Sequence, residues 1–351
     1  MSALEKTKTL NPNKVSKLKN KVFKIMNDCR VESGENVKLT HVSMGEPYGR
    51  FVIKDKKLKK FLKYYAEAVD YGIDFHISEL PQHYGPIKCD IDLELPKEQF
   101  KKKRLYTQKM INKTVELFQD GIKKFLDVED ENLVCCVFEK KSPTDKGITL
   151  KDGYHLMFTN TCCHFKMRHI IRNHVVNLAK KEKEFKQFSN NIEKIFDKQV
   201  VSSVPWLMYG SKKPDSTPYQ LTQIIDHDSD PLPLDTFGSK GKLAKTLSLQ
   251  RSKWKSENET TINNDLNPNL VTDLYNKINP IGSQKGNVST YVSESKEEDI
   301  RKARHLVNLL SPERADNYDD WIRIGWILHN IDKSLLPVWI EFSKKCSSKY
   351  N

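Results

Sequence analysis

The sequence predicts an α+β fold, in which helices pack on a small sheet, followed by a small all-α module. Up to about residue 235, amphipathic helices alternate with short runs in which apolar and polar residues alternate. Ser, Asn, Lys and Thr dominate residues 238–298, and helical periodicity returns after them. We therefore expect a mixed domain over residues 1–237, a linker or loosely packed extension over 238–298, and a helical module over 299–351.

Three segments of the mixed domain have the apolar spacing of amphipathic helices. In residues 57–70, Phe61, Tyr65 and Val69 recur every four residues, so they would share one helical face. The same periodicity predicts two further helices, over residues 105–126 and 165–182.

The strands are predicted from alternation and from clusters of β-branched and aromatic residues. Residues 87–93, IKCDIDL, alternate strictly, so the odd-numbered apolar side chains would face the core and Asp90 and Asp92 would face away from it. The other predicted strands cover residues 73–77, 133–138 and 154–160, and shorter strand-like pieces follow Asp197.

The composition indicates an intracellular protein that is attracted to polyanions. The chain has 59 Lys and Arg against 46 Asp and Glu among 351 residues, a formal net charge of +13. Nucleic acid is the usual partner of such a charge, although a solvated lysine-rich surface gives the same count. There is no run of roughly 20 apolar residues and no apolar secretory segment, so we expect no membrane span. The seven cysteines include two adjacent pairs, which do not suit a disulfide framework, so we expect reduced thiols in a soluble protein.

Asp90 and Asp92 are the first candidate site residues. Alternate side chains of a strand share a face, so these two carboxylates would project together and repel each other unless a cation lies between them. Oxygen ligands favour Mg²⁺ or Mn²⁺. The alternative is an exposed acidic strand face with no metal.

His155 is the second candidate. It lies opposite Tyr154 and Leu156 in the strand pattern, and the nearby Gly153 would let a ligand approach the backbone closely. This histidine could hold a phosphate or a catalytic water. The alternative is an ordinary hydrogen-bonded histidine.

Asp197 and the basic loop that follows it are the third candidate. Asp197 could supply a third metal ligand, and the backbone N–H groups of Gly210 and Ser211 with Lys212 or Lys213 could bind a triphosphate. The loop lacks the spacing of a P-loop, so no standard ATPase site is present. The Cys162-Cys163-His164 run fits no standard zinc spacing.

Two smaller sets of basic residues complete the candidates. Arg50, after a glycine-containing loop, could enter the nucleotide site from the N-terminal half. The runs 101–104 and 180–183 could line a groove for a template strand, although a solvated helix face is the better explanation of each run taken alone.

The order of the three motifs resembles the archaeo-eukaryotic primase superfamily, in particular the primase region of primase-helicases from large cytoplasmic DNA viruses of the poxvirus and asfarvirus type. Asp90 and Asp92 match the first motif, His155 the second and Asp197 the third. Residues 304–342 are similar to the helical primase C-terminal module of such proteins. Many members have Ser two positions before the motif histidine, where this chain has Gly153.

The resemblance implies a fold, a chemistry and partners. The fold would be a primase catalytic domain with an RNA-recognition-motif-like half. Asp90, Asp92 and Asp197 would hold two Mg²⁺ or Mn²⁺ ions, and His155 with Ser211, Lys212 or Lys213 would bind the NTP or dNTP. The protein would be a DNA-dependent primase or primase-polymerase that makes primers on single-stranded DNA in the host cytoplasm. A ring-forming helicase would follow in a longer chain. A non-catalytic DNA-binding module that loads a helicase and a metal-dependent nuclease are the alternatives.

Overall fold

The computed structural model describes residues 12–32, 35, 37–100, 103–278 and 296–346. The chain divides into two compact units, Met1–Ser283 and Gln284–Asn351.

The first unit contains seven helices and eleven strands within its described residues. Its helices are α1 (Pro12–Asn27), α2 (Asp55–Asp70), α3 (Gln108–Phe125), α4 (Phe165–Ala179), α5 (Ile192–Ile195), α6 (Lys240–Leu247) and α7 (Pro268–Lys277). Its strands are β1 (Arg30–Val31), β2 (His41–Ser43), β3 (Gly49–Phe51), β4 (Ile77–Glu79), β5 (Tyr84–Pro96), β6 (Cys135–Glu139), β7 (Thr144–Asp145), β8 (Thr149–His164), β9 (Trp206–Leu207), β10 (Gln220–Ile225) and β11 (Pro231–Leu232).

A six-stranded antiparallel sheet forms the centre of this unit. Its order is β11-β10-β6-β8-β5, and β7 pairs with the outer part of β8. Cys89, Ile91 and Leu93 of β5 are buried on one face, in the same hydrophobic cluster as residues of α3 and α4. The predicted inward alternation of this strand is therefore confirmed, and the opposite face is left for polar side chains.

A five-stranded sheet, β1-β3-β2-β4-β9, packs with α1 and α2 around a second cluster that includes Phe51, Phe61 and Tyr65. All of its ladders are antiparallel. The α+β fold predicted from the sequence is thus confirmed. The strand predicted at 73–77 instead begins at Ile77, because the ladder between β2 and β4 ends where Ser43 meets Ile77.

The segment expected to be a linker packs on the first unit as far as it is described, up to residue 278. Leu243, Leu247 and Leu249 enter a third hydrophobic cluster, and the buried Trp254 donates its indole N–H to the Ser248 carbonyl. The first compact unit accordingly extends past residue 237. Residues 279–295 of the expected linker lie outside the described residues.

A carboxylate at the end of α2 explains how α6 is attached. The Gly241 amide donates to Asp70 Oδ1 at 2.6 Å, and a Cβ on Gly241 would lie 2.2 Å from the Ala66 carbonyl oxygen. The N-terminus of α6, in the run GSKGK, is therefore occupied by Asp70.

The second unit is helical, as the sequence predicts. Its helices are α8 (Lys296–Asn308), α9 (Pro312–Asp316), α10 (Tyr318–Ile331) and α11 (Leu336–Ser343). Trp321 and Trp339 stack at 4.8 Å between ring centroids and pack against the core of this unit. Trp326 is 63% exposed. Within the described part of the chain, no helix is long and apolar enough to cross a membrane.

Candidate active site

The polar face of the six-stranded sheet brings the first two motifs side by side. Asp90 of β5 pairs directly with His155 of β8, and Asp92 pairs with Gly153. Directly paired residues of an antiparallel ladder share a face, so Asp90, Asp92 and His155 project together. The Nε2 atom of His155 lies 3.3 Å from Asp90 Oδ1.

The segment after α5 carries Asp197 to the same place. The Asp197 amide donates to the Asp90 carbonyl at 3.1 Å, and Phe196 forms an antiparallel bridge with Ile91. The buried Arg172 fixes this segment, because its Nε atom donates to the Phe196 carbonyl at 3.0 Å. One carboxylate oxygen from each of Asp90, Asp92 and Asp197 lies within 4.8 Å of the others.

The environment separates the pKa values of the two β5 carboxyls. Burial acts to raise the pKa of Asp90, but the neighbouring His155, Lys151 and Lys213 outweigh it, and the pKa of Asp90 is lowered. Burial and the charge on Asp90 together raise the pKa of Asp92 to about 6, against the opposing effect of Lys151. Asp90 therefore ionises more readily than Asp92.

Two lysines at this site were missed in the sequence analysis. Lys151 forms an ion pair with Asp92 at 2.9 Å, and this carboxylate raises the lysine's pKa although burial acts to lower it. Lys140 lies near enough to Asp90, Asp92 and Lys213 for their charges to affect its pKa, which burial lowers overall. Lys151 shares the strand alternation of Gly153 and His155, so this signal was present in the sequence.

Aromatic rings enclose His155. The Tyr219 ring stacks on the imidazole at 3.6 Å between centroids, and the Trp206 ring lies 4.3 Å away. Lys140 Nζ lies over the Tyr219 ring, 5.0 Å from its centroid. Tyr219 therefore links a lysine of the site to the histidine and restricts the orientation of both.

Replacing Tyr219 tests this positioning role. We expect Tyr219→Ala to lower kcat between about 10- and 100-fold, because a misplaced His155 is no longer aligned with a bound substrate. Tyr219→Phe keeps the stacked ring and is the matched control, expected to retain most of the activity. Steady-state kinetics of the two variants measure both effects. Equal losses in the two variants would contradict a role for the ring and indicate one for the hydroxyl.

The basic loop differs from the sequence-based expectation. The Ser211 amide donates to the Met208 carbonyl and the Lys212 amide to the Phe75 carbonyl, so neither N–H is free for a phosphate. Ser211 is buried, and its Oγ lies 2.9 Å from the Tyr65 hydroxyl. Lys212 Nζ pairs with Asp74 at 2.6 Å. Ser211 and Lys212 thus anchor the loop to its neighbours.

Lys213 is the lysine of this loop whose charge acts on a triad carboxyl. It is exposed, and its charge acts on Asp90 and on Lys140. Arg50 is placed in β3 of the other sheet, where its Nη2 atom donates to the Glu32 carbonyl at 2.7 Å.

The template-groove candidates of the sequence analysis have other surroundings. Arg104 pairs with Asp152 at 2.7 Å and also donates to the Lys140 carbonyl. Lys101 and Lys102 lie outside the described residues. Lys180 pairs with Glu193 at 3.3 Å.

Gly153 has a structural role that the sequence did not reveal. A Cβ at this position would lie 1.8 Å from the Ile91 carbonyl oxygen. Glycine is therefore needed at residue 153 because the backbone of β5, the strand that carries Asp90 and Asp92, approaches it closely.

The triad fits a divalent cation. It consists of oxygen donors, and the buried Asp90 Oδ1 accepts no well-aligned hydrogen bond among the described residues, although His155 Nε2 lies 3.3 Å from it. In the described ranges, no other group of three His, Cys, Asp or Glu residues is close enough to share an ion. Cys162, Cys163 and the histidines near them form no such group.

Comparison with known families agrees with this geometry. The model of the C962R protein N-terminal AEP domain, where AEP denotes archaeo-eukaryotic primase, matches residues 40–225. The chain belongs to the archaeo-eukaryotic primase superfamily. The model of the primase C-terminal 2 module matches residues 303–351. This primase-family chain therefore combines a catalytic-type domain with the module that the resemblance led us to expect.

Relatives of this primase-family chain come from large DNA viruses. It is 32% identical over 343 residues to a protein of Acanthamoeba polyphaga mimivirus named as a candidate helicase, covering 91% of the chain and 36% of the relative. It is 26% identical over 375 residues to a candidate helicase of Invertebrate iridescent virus 6, covering 94% and 37%. A candidate primase of African swine fever virus is 25% identical over 158 residues, covering 43% and 15%. The chain thus spans about a third of the length of the first two relatives.

Proposed function

We propose that the protein is a DNA-dependent primase, or primase-polymerase, that joins NTPs or dNTPs on a single-stranded DNA template. The observation that carries the proposal is the convergence of Asp90, Asp92 and Asp197 beside His155 on the polar face of the six-stranded sheet. Membership of the primase superfamily supports the same reaction.

The chemistry requires a 3′-hydroxyl to attack the α-phosphate of a bound nucleotide while pyrophosphate leaves. Two divalent cations, Mg²⁺ or Mn²⁺, held by Asp90, Asp92 and Asp197 would activate that hydroxyl and stabilise the negative charge on the transferred phosphate. His155 and Lys213 provide donors for the triphosphate oxygens. The Tyr219 and Trp206 rings keep the imidazole in place during this contact.

The two adjacent lysines of the basic loop give a matched test of the nucleotide site. We expect Lys213→Ala to raise the KM for the nucleotide by roughly 10- to 100-fold, the effect of losing a charge-assisted hydrogen bond. Lys212→Ala removes the same charge from a side chain held by Asp74, and we expect a much smaller change. A larger KM effect for Lys212→Ala would show that the assignment of the two lysines is reversed.

Primer synthesis tests the function directly. The full chain is incubated with single-stranded DNA, NTPs or dNTPs, and Mg²⁺ or Mn²⁺, and the products are resolved by length. De novo oligonucleotides that grow with time are the expected result. Degradation of the DNA without nucleotides would instead identify a nuclease, and tight DNA binding without incorporation under any of these conditions would identify a non-catalytic module.

We also propose that this chain acts with a helicase in the replication of a viral genome in the host cytoplasm. The names of its mimivirus and iridescent virus relatives support a helicase partner or a helicase region in a longer chain. A ring-forming helicase would place several primase regions around one DNA strand. Sedimentation of a chain extended to the length of these relatives would test that assembly.

A further inference from the structure

A second basic surface lies in the first unit, away from the triad. It is a groove of about 1230 Å³ between the start of α2 and the segment 249–257, and it ends at His83 and Tyr84 at the beginning of β5. We call it the basic groove. None of its lining residues belongs to the triad or to the rings around His155.

The charge of the basic groove is strongly unbalanced. Eight lysine and arginine side chains line it against two carboxylates, Asp55 and Glu257. Glu257 lies 3.6 Å from Lys255. The exposed Lys38, Lys54 and Lys59 form no ion pair with any described residue. The groove therefore presents three lysines with which no carboxylate in the described ranges forms an ion pair.

The cations of the groove are also crowded. Burial and the neighbouring Lys54 lower the pKa of Lys38, while burial and Arg251 lower the pKa of Lys253 to about 8. Like charges at short range repel, so a polyanion in the groove would relieve an existing cost.

A buried tryptophan holds one wall of the groove in place. Lys253 Nζ lies 4.3 Å and the Arg251 guanidinium 5.5 Å from the Trp254 ring centroid, and Lys253 also donates to the Thr159 carbonyl at 2.7 Å. These two cations are therefore pre-organised, and less conformational entropy is lost when they bind phosphates.

Aromatic side chains close one end of the groove. His83 is exposed, and its ring is parallel to that of His164 with 6.2 Å between centroids, while the half-buried Tyr84 contacts the same histidine at 5.3 Å. Burial and the nearby Lys38 lower the pKa of His83, which favours a neutral ring there. Such rings can stack on unpaired bases, whereas the bases of a duplex are hidden in its own stack.

The basic groove and the catalytic face meet the same strand at different points. Tyr84 and Asp90 are both on β5, about 20 Å apart at ~3.3 Å per residue. A strand several nucleotides long could thus occupy the groove while its end lies at the triad.

We propose that the basic groove binds a single-stranded polynucleotide, whose phosphates contact Lys38, Lys54 and Lys59 while its bases stack at His83 and Tyr84. Charge complementarity selects a polyanion, and the exposed rings select one with unpaired bases. The role of the groove as a template-holding surface rests on the proposed primase function, but the binding itself does not.

The test compares two triple variants of the full chain that remove the same charge. One variant combines Lys38→Ala, Lys54→Ala and Lys59→Ala. The other combines Lys124→Ala, Lys186→Ala and Lys194→Ala, three exposed lysines that do not line the groove. The affinity for a fluorescent oligo-dT of about 20 nucleotides is measured without metal or nucleotide over a salt series. We expect the groove variant to bind about 100-fold more weakly at 0.1 M salt. The slope of the logarithm of affinity against the logarithm of salt concentration should become shallower by about 2, because each lost phosphate contact contributes ~0.7. The control should change little.

A second variant tests the stacking contact. His83→Ala should weaken binding of the same oligonucleotide by about tenfold at high salt, where the electrostatic contribution is screened. Equal losses in the two triple variants would overturn the proposal, because binding would then follow net charge and not this groove. The proposal would also be overturned if a duplex or polyglutamate bound as tightly as the oligonucleotide and lost as much affinity in the groove variant.

The outcomes for the groove and for the active site are separable. If the groove variant binds the oligonucleotide normally, only the proposal for the basic groove is contradicted, whatever the primer synthesis assay shows. Normal groove-dependent binding with no nucleotide incorporation contradicts the proposed function and leaves the groove intact. The thermal midpoint Tm of each variant confirms that it remains folded.

Discussion

Asp90→Asn is expected to lower nucleotide incorporation on the order of 10³-fold or more while leaving the protein folded. Asp90 lies at the centre of the triad, where its backbone carbonyl accepts from the Asp197 amide and its side chain lies against His155. The amide keeps the size of the side chain and removes the negative charge. The loss should therefore fall on kcat, because charge at the transferred phosphate is no longer balanced.

Asp145→Asn is the matched control for this prediction. Asp145 lies in β7 of the same sheet, exposed and paired with Lys97 at 2.5 Å. Neutralising it changes the net charge equally and should leave incorporation within about twofold, as expected for a surface ion pair. Metal binding, followed by the Mn²⁺ electron paramagnetic resonance signal, should weaken in Asp90→Asn and not in Asp145→Asn. Full activity in Asp90→Asn would refute the assignment of the triad.

The triad could be predicted from the sequence because local periodicity determines most of it. The alternation around Asp90 and Asp92 defines one strand face, and the residue pattern around His155 defines another. Their antiparallel pairing in the structure brings these faces together. Asp197 is predicted from the basic loop that follows it and from its match to the third motif, because a short segment between α5 and β9 has no periodicity that would place it.

The supporting residues could not be predicted in the same way because long-range contacts select them. Lys213 and Lys212 are adjacent in the sequence, and only the ion pair between Lys212 and Asp74 separates their roles. Tyr219 lies just before β10, far along the chain from the His155 ring on which it stacks. A pattern within a window of a few residues carries no information on such pairings.

The segment after residue 237 shows the same limit in the fold. Its composition is that of a linker, yet Asp70 caps α6 and Trp254 is buried. An eight-residue helix has little stability of its own, so tertiary contacts decide whether it forms. Polar composition carries no information on this contact, because the carboxylate that caps α6 lies about 170 residues earlier in the chain.

Gly153→Ser should reduce both stability and activity, although it restores the residue that many members of the superfamily have two positions before the motif histidine. A Cβ at residue 153 would lie 1.8 Å from the Ile91 carbonyl oxygen, and the backbone at Ile91 cannot move away cheaply because it pairs with both Tyr154 and Phe196. We expect a cost of about 3 kcal/mol, the upper end of ordinary overpacking, and a decrease in Tm of roughly 5–10 °C.

Gly147→Ala, at the turn between β7 and β8, separates this clash from a general loss of glycine. Gly147 has a φ of +86°, but a Cβ added there would meet no atom within 4 Å, so only backbone strain of about 1 kcal/mol is expected. Because Ile91 lies between Asp90 and Asp92, relief of the clash in Gly153→Ser must displace the carboxylates as well. Its kcat should therefore fall further than its stability loss explains, even at temperatures where it is fully folded. A fully active and stable Gly153→Ser protein would show that β5 and β8 can separate without disturbing the triad.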